Sequence, residues 1–339
     1  MATKRKFTIL AFVGGGIRGL MSSTILNRLW ENHPWMLDTT DLIAGCSTGS
    51  IITSEILAGK TPPELIKLFT HGEIKFYDHM SADPRKPAYD IDKAYASQYL
   101  LHGDAPVNGL KDRKALFVSF NVGGLDVVDG IVVPRPWEPR MYTNMLDEAD
   151  RLQGLDGHGG YAIAKAATSS GAMPGQLGSF DGNVDGTYFN HDPTVAAIAL
   201  AVHKGHALED ITAITIGTGL MPDWVAEDTH DWGADQWMNG VANPFDNTPP
   251  FLMNQARPSP MLDMCLNGTS AQVMPTMARL LLGKRYANIN PRLPCFIPEN
   301  STSPQALALL QDSGNRENID HALELVELHW RRSVMPIET

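Results

Sequence analysis

Residues 41–50 read Asp41-Leu42-Ile43-Ala44-Gly45-Cys46-Ser47-Thr48-Gly49-Ser50, a short apolar run that ends in a Gly-x-Ser-x-Gly pentapeptide. Leu42 to Ala44 predicts a buried strand and Ile51 to Ala58 the helix that leaves it, so the pentapeptide is the turn between them. Small residues on both sides of Ser47 let the backbone turn sharply and leave the hydroxyl exposed at the top of a sheet, the geometry of a nucleophile elbow. A serine alone does nothing. It needs a base to take its proton and backbone donors to hold the oxyanion it generates.

Upstream, Phe7 to Val13 is a nearly all-apolar run with β-branched residues, as expected of a strand buried on both faces. Gly14-Gly15-Gly16-Ile17-Arg18-Gly19 follows at once, and Leu20, Met21, Ile25, Leu26 and Leu29 then recur at helical spacing through about Glu31. Side-chain-free amides at the positive end of a helix make an anion site. A Walker loop would need Gly-Lys-Ser/Thr after the glycines, and Ile17-Arg18-Gly19-Leu20 stands there instead. A dinucleotide fingerprint is formally present at Gly14, Gly16 and Gly19, but Asp38 and Asp41 lie in a poor context for the acidic residue it requires. An oxyanion hole built on Gly14, Gly15, Gly16 and Ile17 fits best, with a plain structural turn as the bland alternative.

Downstream, Thr61-Pro62-Pro63-Glu64 predicts a helix start with a capping box. Residues 71–109 are irregular apart from patchy helical spacing around Ile91 to Leu101, and are expected to form an excursion beside the site that could serve as a lid. Leu116 to Val122, Ile131 to Val133 and Ile211 to Ile216 predict strands; Tyr161 to Thr168 and Thr194 to His203 predict helices. Alternation of this kind indicates an α/β fold with a largely parallel sheet. Residues 221–253, with Trp224, Trp232, Trp237 and several Asp, carry no steady period and are expected to be mostly loop, followed by helices at Met274 to Leu282 and Ile319 to Trp330. Packing explains those tryptophans better than an acyl-chain surface, and a solvated acidic face explains the aspartates better than a calcium loop.

The 339 residues carry a formal net charge of −11, which argues against nucleic acid and against passive adhesion to an anionic membrane. Cys46, Cys265 and Cys295 cannot pair completely and show no CxxC spacing, which fits a reducing compartment. Lys4-Arg5-Lys6 before the first apolar run resembles a signal-peptide start, but the run is short and passes into glycines with no cleavage-like stretch. With no apolar segment of about 18 residues, the expectation is a cytoplasmic protein without a spanning helix.

For the base, His203, His321 and His329 fall in predicted helices, while His191 and His230 remain open to a Ser-His-Asp scheme. Asp185-Gly186, behind Val184 and ahead of Tyr188-Phe189, offers a carboxylate in a loop near a sheet edge; Asp181-Gly182 is a rival.

Taken in order, these segments resemble the patatin-like phospholipases. Gly14 to Gly19 is similar to that family's glycine-rich oxyanion motif, Gly45 to Gly49 to its serine elbow, and Asp185-Gly186 to its Asp-Gly-Gly/Ala box. Ala166 to Pro174, Pro193, Ile216 to Gly219 and Tyr286 to Pro291 also resemble family segments. The likeness covers about residues 7–291 of a single catalytic domain, with helices in 292–339. It implies a three-layer α/β/α fold and a Ser47–Asp185 dyad with no catalytic histidine. It further implies an oxyanion hole at the glycine loop, support from Arg18, Gly45, Gly49 and Gly186, and no cofactor or metal. Phospholipids or related acyl esters at a transiently contacted membrane surface are the implied substrates. For an acidic protein, a small-molecule activator or a homo-oligomer is a natural regulator of access. Because an exposed carboxylate is a weak base for an alcohol, Asp185 is expected to be desolvated. Thr187 replaces the third Gly or Ala of the box, and His191-Asp192 stands where Asn pairs are usual. A Ser-His-Asp carboxylesterase and a lipid-binding effector with little basal hydrolysis are the alternatives.

Overall fold

The computed structural model describes residues 6–71, 80–83, 85–221, 225, 227–240 and 259–330. Five strands, β1 (Phe7–Phe12), β2 (Leu42–Cys46), β3 (Lys114–Asn121), β8 (Ile211–Ile216) and β9 (Tyr286–Ile289), run parallel. Between β3 and β8 come β4 (Gly124–Val128), β5 (Ile131–Arg135), β6 (Glu138–Thr143) and β7 (Asn183–Asp185). The main sheet has the order β6-β3-β2-β1-β8-β9, with β6 and β7 both antiparallel to β3.

Side chains alternate along each central strand, and each face has its own core. Leu10, Phe12, Ile43, Ile214 and Ile216 pack on one side with helices Gly19–Asn32, Pro62–Thr70, Pro304–Arg316 and Asp320–His329. Ile9, Ala11, Leu42, Ala44, Ile211 and Ala213 pack on the other with helices Thr194–His203 and Met274–Leu282. Sheet between two helical layers is the expected α/β/α architecture.

The pairing of β3 explains how the site is assembled. β2 borders β3 only as far as Cys46, which stands opposite Val118, and then departs into the turn at Ser47. β6 covers the other edge of β3 from Leu116 to Asn121. β7 therefore takes the lane that β2 vacates, with Asp185 opposite Ser119, the next residue along. Asp185 is thus delivered end-on to the elbow by the ladder of the sheet.

Several expected segments take a more definite form. Ile131 to Val133 is a strand, but it pairs only with β4, in a separate hairpin closed by Asp129 and Gly130, both at positive φ. Leu125, Val127, Ile131 and Val132 are exposed there, so the β-branched run reflects a solvent-facing ribbon and not a core strand. The patchy periodicity near Ile91 resolves into helix Ile91–His102, capped by Asp90 and tied to the elbow helix by the Ser54 hydroxyl, which donates to Gln98 Oε1 at 2.6 Å. Part of the suggested lid, residues 72–79 and 84, lies outside the described residues. In the stretch expected to be loop, Ala234–Asn239 is helical and Trp232 meets Trp237 edge-to-face, while Trp224 lies outside the described residues. Among the described residues no helix is long and apolar enough to cross a membrane.

Candidate active site

The elbow is tight because Gly45 and Gly49, two residues to either side of Ser47, lack side chains. Ser47 has φ 53° and ψ −126°, a region that non-glycine residues occupy at a cost of about 1–3 kcal/mol. A Cβ on Gly45 would strike the Gly49 carbonyl, and one on Gly49 would strike the Phe12 carbonyl. The Ser47 amide donates to Ser170 Oγ at 3.0 Å, and the Ser50 hydroxyl donates to the Ser47 carbonyl at 2.6 Å. Ser47 caps helix Thr48–Leu57, whose N-terminal dipole favours negative charge at the hydroxyl.

Asp185 is fully buried. Its Oδ1 accepts from the Thr187 amide at 2.8 Å and the Thr187 hydroxyl at 2.6 Å. Thr187, a departure from the family box, therefore anchors the carboxylate. Burial pushes the carboxyl above the ordinary carboxylate range, against the opposing pull of the Thr187 hydroxyl, the Ser47 hydroxyl and the Thr187 amide. The expected desolvation is present. Oδ2 has no well-formed hydrogen bond, although the Ser47 hydroxyl is near enough to favour the ionised form. Cys46 Sγ lies 3.7 Å from Oδ1, and burial followed by the Asp185 charge pushes this thiol well up, which keeps it neutral.

Asp181, the rival, is elsewhere. Its Oδ2 accepts from the Tyr161 hydroxyl at 2.9 Å and from Lys165 Nζ at 3.0 Å on the surface.

In the glycine loop Gly15 and Gly16 adopt φ 148° and 56°, and no described group accepts from their amides. Ile17 must be removed from the expected donors, because its amide donates to the Glu299 carbonyl at 2.7 Å. The Gly14 amide makes a long contact, 3.4 Å, to the His191 carbonyl, and its own carbonyl accepts from the Thr218 hydroxyl. Arg18 is buried beneath the loop, donating to the Ile297 carbonyl at 3.1 Å and pairing with Glu299 Oε1 at 3.2 Å. It fastens the loop to the Ile297–Glu299 segment, which the sequence did not single out.

His191 is buried in the same place. A methyl group on Gly14 would run into its ring at Nε2 and stand 2.8 Å from Ser47 Cβ, so histidine and serine meet over this glycine. His230, the other open histidine, is exposed. Asp192 is also buried, with Oδ1 accepting from Thr194 and Oδ2 unpartnered. Among the described residues no group of three His, Cys, Asp or Glu is arranged to hold a metal.

A strained serine elbow, a glycine loop whose Gly15 and Gly16 amides meet no described acceptor and a buried carboxylate, set on an α/β/α sheet, are the parts that acyl hydrolysis calls for. The family model for patatin-like phospholipase matches residues 10–198, and the chain belongs to that family, whose activity is lipid acyl-ester hydrolysis. It is 26% identical to protein teg of Priestia megaterium, over 96% of this chain and 99% of that protein. It is 26% identical to the putative sporulation hydrolase CotR of Bacillus subtilis, over 96% and 98%. Patatin-08 of Solanum tuberosum is 22% identical, over 68% of this chain and 66% of the relative. The crystal structure of VipD from Legionella pneumophila aligns with TM-score 0.43 and 10% identity, over 96% of this chain and 67% of that one.

Proposed function

We propose that the protein cleaves carboxylic esters of phospholipids or related glycerolipids through an acyl-Ser47 intermediate, with Asp185 as the base. The observation that carries this reading is the buried Asp185 carboxyl, fixed at Oδ1 by Thr187 and left with an unpartnered Oδ2 beside Ser47. Burial raises its basicity toward the working pH, which a base for an alcohol needs. As the Ser47 oxygen bonds to the acyl carbon, its proton passes to Oδ2 and the oxyanion is held by the amides of Gly15 and Gly16. Collapse expels the lyso-lipid alkoxide, which takes the proton from Asp185. Water then releases the fatty acid by the same steps in reverse.

The test is mass spectrometry of a lipid extract after incubation with the wild type and with Ser47→Ala, alongside turnover of a chromogenic acyl ester. Free fatty acid and lyso-lipid should accumulate with the wild type only. Equal product from a folded Ser47→Ala protein would overturn the assignment.

A further inference from the structure

Two buried acceptors without partners flank Ser47, and the dyad uses only one of them. The second is His191 Nε2, on a side chain only 4% exposed. The other ring nitrogen, Nδ1, lies 2.9 Å from the Leu266 carbonyl. A carbonyl can only accept, so Nδ1 carries the hydrogen and Nε2 of the neutral ring presents a lone pair. That lone pair sits at the ring edge lying over Gly14, the glycine that also bears against Ser47 Cβ. A buried acceptor left unsatisfied costs about 1–3 kcal/mol, so its retention calls for a function. A methyl group at Gly14 would touch both Nε2 and Ser47 Cβ, so the Ser47 hydroxyl is a donor that rotation about χ1 can turn toward the lone pair.

We infer that His191 is a third catalytic residue: Nε2 accepts the Ser47 proton in parallel with Asp185 Oδ2. The inference rests on Ser47 being the nucleophile and deepens that reading. In this route the Ser47 O–H proton moves to Nε2 as the Oγ–acyl carbon bond forms, giving an imidazolium anchored at Leu266. The bond from the acyl carbon to the leaving oxygen then breaks, and that oxygen takes the proton from Nε2, restoring the neutral ring. The glycine at position 14 is what admits the ring, since any side chain there would collide with it.

The experiment is the rate at which a fluorophosphonate labels Ser47, which reads nucleophile activation without dependence on the lipid. It compares the wild type, Ser47→Ala, Asp185→Asn, His191→Asn and the Asp185→Asn/His191→Asn double variant. Asparagine at 191 keeps an amide donor for the Leu266 carbonyl and removes Nε2. If that substitution does not fold, His191→Gln takes its place. Asp185→Asn should retain labelling about 10-fold or more above the double variant, because His191 still serves, whereas His191→Asn alone should slow it less than about two-fold, because Asp185 carries the larger share of the proton transfer. Asp185→Asn as slow as the double variant, both folded, would overturn the inference while leaving the dyad intact, and a loss in His191→Asn as large as in Asp185→Asn would overturn the parallel route. Undiminished labelling in Ser47→Ala would instead overturn the dyad reading, and the inference with it.

Discussion

Asp185 and Asp192 belong to one short segment and are built alike. Each is buried, each accepts at Oδ1 from the amide and the hydroxyl of a threonine two residues on, and each leaves Oδ2 unpartnered. Burial is the leading reason that both carboxyls are pushed above their ordinary range. What differs is the far side. Asp185 ends β7 and faces the elbow. Asp192 faces a closed chain in which Thr194 contacts the Thr215 hydroxyl at 2.5 Å and Tyr286 donates to it at 3.1 Å. The local motif makes a desolvated carboxyl, and the neighbour decides which of the two is placed for the proposed role of base.

The largest expected effect separates the two directly. Asp185→Asn should lower kcat for an acyl ester by a factor on the order of 10² to 10⁴, whereas Asp192→Asn should stay within a few-fold of the wild type. Comparable losses from both, in folded proteins, would break the distinction. Next in size, Gly49→Ala should destabilise the protein by about 1–3 kcal/mol in denaturant titration, because the new methyl meets the Phe12 carbonyl and forces the elbow to move. It should depress activity as well, since the proposed proton transfer to Asp185 needs the serine held in place.

A smaller effect concerns pH. A carboxyl whose folded-state pKa is raised contributes stability that is fully present below its unfolded value, about 3.8, and is lost as pH rises through the raised value. Stability should therefore decline on going from acid toward neutral by about 1.4 kcal/mol for each unit of difference, and Asp192→Asn should flatten that decline. An unchanged slope in the variant would mean that Asp192 is not held neutral. Activity has the opposite sign, because the base must be ionised, so the acid limb of kcat should lie above 3.8 and track Asp185. The smallest effect is expected at Asp181, whose exposed pair with Lys165 is worth at most about 1 kcal/mol; Asp181→Asn should leave both turnover and melting nearly unchanged.

The elbow, the glycine loop and the central strands were legible because each is announced locally, by apolar runs that stop at glycines. The choice of Asp185 over Asp181 was legible only through its resemblance to a family box, since both are Asp-Gly turns and burial is decided by pairing with β3. β7 is three residues long and β6 contains Pro139, so neither carries a periodic signal. Helix Pro304–Arg316, within the helices expected in 292–339, has a readable start, Ser303 capping the Ala306 amide ahead of a proline. The contact between Gly14 and His191 joins distant segments and leaves no local trace. The engagement of the Ile17 amide by Glu299 is of the same kind.

The handover from β2 to β7 along β3 makes the separation of serine and carboxylate a matter of strand register and not of loop conformation. A slip of one residue would turn Asp185 to the opposite face of the sheet, so the geometry is either correct or absent. The exposed hairpin of β4 and β5 is then free to lengthen, shorten or acquire other duties without retuning the chemistry, provided the three rungs between β3 and β7 survive.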